Sequence, residues 1–285
     1  MAGMRRVRIF DHLLRVRDEP EPTPSGALAA VPPLLCIHGA GMSSVVFMDL
    51  LRRFAPGRRV VAPDLPGHGQ SQRREGLVSV AGYRDTLWAL CNVLSLSRVV
   101  LIGHSMGAAI ALSMALAAPD RVAGLVLLNG GAQLDVPDEV MALLRDSLAT
   151  AAVEVAEDAH VFVDRMPAAF AELVFSPATS ADLRQRWQAM LWSADAATLH
   201  ADFDACRRLD LRADVQRAQS SWRIPTLCLS GAEDLLVPAS QVAQTAAMLP
   251  GAAHHILDRS GHLSHIEQAA VFFPMLEAFL REKRS

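Results

Sequence analysis

Five short segments of this 285-residue chain pair glycine with a residue able to attack, accept or hold a proton. They are HGAG at 38–41, DLPGHG at 64–69, GHSMG at 103–107, GAED at 231–234 and SGHLSH at 260–265. The third is the most demanding, because Ser105 stands between two near glycines, after the aliphatic run VVLI and before the small-residue run MGAAIALSMALAA. A serine so placed is either part of a tight turn or a nucleophile on a strand-to-helix elbow. In an elbow the sharp turn strains the serine backbone, and Gly103 and Gly107 are needed where a Cβ would collide with the neighbouring helix and strand. A serine hydroxyl attacks a carbonyl only with a base within hydrogen-bond reach, so the remaining loops must supply one.

The elements that carry these loops follow from hydrophobic periodicity. PLLCI, RRVVA at 58–62, RVVLI, RVAGLVLL and IPTLCLS are largely continuous apolar runs, the mark of strands covered on both faces. Residues 4–17 alternate like an edge hairpin, AAHHIL supplies a last strand, and helices are predicted at 79–96, 106–118, 238–249 and 266–282. Strands alternating with helices define an α/β fold with a mostly parallel sheet flanked by helices, whose chemistry lies at the carboxyl ends of the strands. All five glycine-containing loops fall at such ends.

Between residues 133 and 207 no strand-like run occurs, and the pattern predicts helices at 137–149, 159–175, 181–192 and 196–207. This divides the chain into a core of 1–132 and 208–285 and an inserted helical cap of 133–207 over the strand ends. The cap's Met, Phe and Trp residues serve packing, with some left to line a pocket. Arg145, Arg165 and Arg184 read as solvent-facing helix charges that could also reach a substrate carboxylate.

Composition narrows the function classes. A net charge of -3 gives no electrostatic case for nucleic acid or anionic lipid. Cys36, Cys91, Cys206 and Cys228 are scattered without metal-ligand spacing, so neither a metal nor a cofactor is expected. Without a signal-peptide pattern or a run long enough to span a bilayer, a cytoplasmic protein is expected, its oligomeric state open.

The motifs HGAG, PDLPGHGQS at 63–71, GHSMG, GAEDLLVP at 231–238 and GHLSHIEQ at 261–268 resemble, in order and spacing, those of the α/β-hydrolase fold superfamily, over about residues 31–282. The resemblance implies a Ser, Asp, His triad in that chain order, an oxyanion hole at the first loop, and a cap inserted after the strand ending near Asn129. Among ten histidines, His262 follows the last strand on a glycine-flanked loop and is the predicted general base. His38, His68 and His104 are expected to orient loops, and His265 to support the base. Asp234, directly after its strand in GAED, is the predicted acid, with Asp135 as the rival one strand earlier. Backbone N–H groups of Met106 and Ala40 are the expected oxyanion donors, with Gly41 as the alternative to Ala40.

These residues predict a serine hydrolase acting on a small, largely apolar carboxylic ester or lactone through an acyl-enzyme. The alternatives on the same scaffold are a carbon–carbon bond hydrolase, a cofactor-free haloperoxidase or perhydrolase, and a non-catalytic small-molecule receptor. GHSMGA with Leu263 departs from the GNSMGG and the tryptophan after the histidine that are usual in carbon–carbon hydrolases.

Overall fold

The computed structural model describes residues 3–19, 31–73, 78–142, 145, 172–191 and 193–281. Strands β1 (Met4–Ile9), β2 (His12–Glu19), β3 (Leu34–Ile37), β4 (Val60–Pro63), β5 (Val99–His104), β6 (Val122–Leu128), β7 (Thr226–Gly231) and β8 (Ala253–Leu257) form one sheet. Its order is β1-β2-β4-β3-β5-β6-β7-β8. The β1–β2 hairpin pairs antiparallel with β4, and all pairings from β4 to β8 are parallel. β3 to β7 are buried along their whole length, as their unbroken apolar sequences require, whereas β2 alternates.

The period of two splits each strand between two cores. Leu35, Ile37, Leu101 and Leu127 face one side, with α2 (Val80–Val93), α3 (Met106–Ala117), α6 (Arg212–Ala218) and α7 (Ala239–Met248). Leu34, Cys36, Ile102 and Leu128 face the other, with α1 (Met48–Phe54) and α9 (Ala269–Arg281). Strand order reverses at β3, with β4 on one side and β5 on the other, which opens a crevice beyond the carboxyl ends of the strands. Ser105 follows β5 directly at that crevice.

The segment before β7 carries α4 (Ala181–Leu191) and α5 (Ala196–Arg207), matching two of the predicted insertion helices. Of the helices expected at 137–149 and 159–175, only residues 138–142, 145 and 172–174 are helical among the described residues, and the remainder lies outside them. The closing helix expected at 266–282 is two helices, α8 (Ser264–Glu267) and α9, because Gln268 leaves helical geometry at φ -120 and ψ 43. α1 and α6, seven residues each, were too short for periodicity to reveal. Among the described residues no helix is long and apolar enough to cross a membrane.

One ion-pair cluster ties the hairpin to the sheet. Asp18 in β2 accepts from Arg59 Nε and Nη2, both at 2.9 Å, and is also bonded by Arg5 of β1. Burial works to raise the Asp18 pKa, but the hydrogen bonds and charge of Arg59, then Arg5, hold it below the ordinary value. The folded state therefore favours ionised Asp18, a contribution present above the ordinary carboxylate range and lost as pH falls through the depressed value. Asp18→Asn is expected to cost about 2 kcal/mol, less than for a fully buried pair because both arginines are partly solvated. Urea denaturation at neutral pH checks this, and an unchanged midpoint would contradict it.

Candidate active site

The elbow is built as its glycines demand. Ser105, at φ 55 and ψ -122, links the end of β5 to the first residue of α3. A Cβ on Gly103 would lie 2.1 Å from the Gly107 carbonyl oxygen, and one on Gly107 would lie 2.1 Å from the Ile37 carbonyl oxygen. Both distances are far below any tolerated contact, so strand β3, the elbow and α3 approach closely only because these residues are glycine. The turn is fixed from below, where Ser105 N–H donates to Leu128 O at 2.8 Å. The left-handed backbone at Ser105 is strained for a residue with a side chain.

Asp234 and His262 meet at the ends of β7 and β8. His262 Nδ1 lies 2.9 Å from Asp234 Oδ2 and 3.1 Å from Oδ1, with both side chains buried. Asp234 also accepts from the Leu236 and Val237 N–H groups and from Asn129 Nδ2, at 2.8–2.9 Å. A carboxylate surrounded by donors assigns the proton to His262 Nδ1, leaving Nε2 as the lone-pair nitrogen. The rival Asp135 is exposed and bonded to Gln133 Nε2, whereas His262 Nδ1 is bonded to Asp234. Glu233 turns away from Asp234 to accept from Ser176 Oγ.

The HGAG loop is a tight turn in which Met42 N–H donates to Gly39 O and Gly41 takes φ 68, the positive value a type II turn needs at its third residue. His38 Nδ1–H also donates to Gly39 O at 2.8 Å, while His38 Nε2 accepts from Leu65 N–H at 2.9 Å. Gly41 N–H is directed at Asp202 Oδ2, 3.4 Å away, and its nitrogen lies 3.3 Å from His68 Nε2. Neither Ala40 N–H nor Met106 N–H has an acceptor among the described residues. Met106 additionally begins α3, whose N-terminal end carries positive dipole charge.

A cavity at the crevice is lined by Ser105, His262 and Ala40, with Leu134, Val136, Phe203, Leu236 and Val237 giving it an apolar wall. Asp135 and Cys206 also reach it. Phe203 and Cys206 come from α5, so this helix supplies part of the lining. Ser105, Asp234, His262, Ala40 and Met106 thus converge on one site, whereas the Gly41 N–H is engaged elsewhere.

Several supporting residues escaped sequence reasoning. Asn129, just past β6, bonds Asp234 and the Gly261 carbonyl through Nδ2 and receives Ser264 Oγ. Glu267 Oε1 accepts from both Gly261 and Leu263 N–H groups, gripping the backbone on either side of His262. His104, by contrast, was expected to orient a loop, and its Nε2–H donates to the His262 carbonyl at 2.8 Å. Asn at a strand end and Glu in the first turn after the histidine were readable as polar residues near glycines, but their targets lie more than a hundred residues away in Asn129's case.

A strained serine at a strand-to-helix elbow, a buried carboxylate–imidazole pair and two backbone N–H groups without acceptors among the described residues lie together at the strand ends of a doubly covered sheet. The sequence profile of the alpha/beta hydrolase fold matches residues 32–269, and the chain belongs to that family. It is 28% identical over 263 residues to a 2-hydroxymuconate semialdehyde hydrolase of Pseudomonas sp. (strain CF600), covering 88% of this chain and 87% of that protein. A solved hydrolase structure from Pseudomonas aeruginosa PA01 superposes with a TM-score of 0.79 at 27% identity, covering 98% of both chains. An esterase from Thermogutta terrifontis superposes equally well, at 0.79 over 100% of both chains, with 23% identity.

Proposed function

We propose that this protein is a serine hydrolase that cleaves a small, largely apolar carboxylic ester or lactone. The observation that carries the reading is the placement of Ser105, His262 and the Ala40 loop around one apolar cavity, with Asp234 behind the imidazole. Ser105 Oγ attacks the carbonyl carbon as its proton passes to His262 Nε2, and the tetrahedral oxyanion rests on the Ala40 and Met106 N–H groups. Collapse expels the alcohol with the proton from His262. Water then attacks the acyl-enzyme, giving a proton to His262, and the second tetrahedral intermediate releases the acid and restores Ser105. In this reading residues 133–207 form a cap whose helix α5 shapes the acyl or alcohol pocket.

A carbon–carbon bond hydrolase is the second reading, favoured by relatives such as a 2-hydroxy-6-oxo-2,4-heptadienoate hydrolase of Pseudomonas putida, 27% identical over 271 residues. That name describes a carboxylate substrate. Among the described residues lining this cavity, Asp135 is the only charged side chain, and it repels an anion. A panel of p-nitrophenyl esters of graded chain length, simple lactones and a dienoate ring-cleavage product separates the readings. Turnover of short to medium neutral esters, with the dienoate poor, is expected. Turnover of the dienoate alone, or of nothing, overturns the ester reading.

A further inference from the structure

A second buried histidine–aspartate pair lies beside the first, outside the steps above. His68 Nε2 is 2.7 Å from Asp202 Oδ2, both residues fully buried, and Tyr83 OH donates to Asp202 Oδ1 at 2.7 Å. His68 Nδ1 lies 3.1 Å from Pro66 O, an atom that only accepts, so both ring nitrogens carry protons and the ring faces Asp202 as a cation. Burial works to lower the His68 pKa, but the charge and hydrogen bond of Asp202, with the Pro66 carbonyl and the Asp64 charge, together raise it. An ion pair withdrawn from water to this depth is weak evidence of stabilisation, since desolvation consumes most of its attraction. What it does hold is position.

Asp202 belongs to α5, in the insertion, and its carboxylate reaches across to Gly41 N–H at 3.4 Å. The same returning segment grips the loop again. Ser193 N–H donates to Gly41 O at 2.9 Å, and Gly69 N–H donates to Ser193 O at 2.7 Å. Both polar groups of Gly41 are therefore held by the segment 193–202, while Gly39 O is held by Met42 and His38. Ala40, between them, is left with its N–H as the unspent donor. One turn beyond Asp202, Cys206 lines the cavity, as does Phe203.

We propose that Asp202, held by His68 and Tyr83, is a positioning residue that aims the Ala40 N–H at the oxyanion and couples this donor to the seating of helix α5. The inference rests on the ester-hydrolase reading. Asp202 touches no substrate and acts through Gly41. Its effect belongs to the transition state, where the oxyanion forms, and not to ground-state binding.

The experiment compares kcat and KM for a p-nitrophenyl ester, and the affinity of an alkyl trifluoromethyl ketone, in wild type, Asp202→Leu, Asp202→Asn and Asp195→Asn. Serine addition to the ketone places an oxyanion in the same hole. Asp202→Leu is expected to lower kcat about 10- to 100-fold, short of deleting a donor outright, and to weaken the ketone by the same factor. KM should stay within about threefold, the signature of an interaction made only in the transition state. Asp202→Asn, which keeps an acceptor oxygen for Gly41, should recover most of the loss. Asp195 caps α5 through Thr198 N–H without touching Gly41, and asparagine keeps a capping oxygen, so Asp195→Asn removes a carboxylate charge from α5 and should leave kcat unchanged.

Should Asp202→Leu fail to fold, Tyr83→Phe frees one carboxylate oxygen and should lower kcat and ketone affinity together by about two- to fivefold. An active wild type whose folded variants keep kcat and ketone affinity, or an Asp195→Asn variant that loses kcat as Asp202→Leu does, overturns this inference alone. A wild type that turns over no ester overturns the functional reading first, and this inference with it.

Discussion

Ser105→Ala is expected to lower kcat/KM for ester hydrolysis by about 10⁵-fold or more, the scale seen when a nucleophile that works as a unit with its base is removed. The residual rate reflects the oxyanion donors and binding alone. The fold should persist, because Ser105 N–H and C=O keep their bonds to Leu128 and Ala108 whatever the side chain. Ser105→Gly should be equally inactive yet more stable than Ser105→Ala. At φ 55 and ψ -122 any Cβ is strained, by about 1–3 kcal/mol, while the greater freedom of unfolded glycine returns about 0.5–1 of that. Steady-state kinetics with urea denaturation of both variants reads the two effects separately. Retained turnover in Ser105→Ala would remove the nucleophile from the mechanism, and a less stable Ser105→Gly would remove the strain.

The second large effect is acid unfolding well above the carboxylate range. Burial, then the neighbouring His68 charge, presses the His38 pKa down to about 4, and burial does the same to His265. His104 is driven well below its ordinary value by burial and by His262 and His265. In each case the unfolded chain binds a proton near pH 6.5 that the folded chain refuses until far lower. Their stabilising contribution is therefore complete above about pH 6.5 and is lost as pH falls toward the depressed values. For His38 and His265 that loss is on the order of 3 kcal/mol each at full development. His68, whose pKa is raised, has the opposite sign and is stabilising at low pH, which offsets part of this loss.

The balance, several kcal/mol, is comparable to the whole stability of a typical domain. Urea midpoints should fall most steeply between about pH 6.5 and 4, before most carboxylates titrate. His265→Phe tests the source, since this ring packs among Phe47 and Phe272 with centroids 5.7 and 5.9 Å away. The variant should flatten the slope on the acid side. A stability flat down to about pH 4.5 would contradict the account.

The two predictions draw on different layers of information. Ser105 was legible because covalent and steric necessity is local: a strand run, a serine between glycines and a small-residue helix leave few conformations. The parallel sheet was legible for the same reason, since β3 to β7 are continuous apolar runs with turn residues at their ends. His262 and Asp234 could be assigned to strand-end loops because strand order in such sheets places those loops at one edge.

The sequence by itself determined which residues stand at the carboxyl ends of the strands, and hence the roster from which a site could be assembled. Only the tertiary structure decided how they are held. That Asn129 serves Asp234, that Glu267 grips the His262 loop, and that Asp202 of α5 reaches Gly41 depend on contacts between residues as far apart as 161 positions. Periodicity reports the exposure of a side chain, which depends on its own element. A hydrogen-bond partner depends on the angle and separation of two packed elements, and no local pattern encodes that.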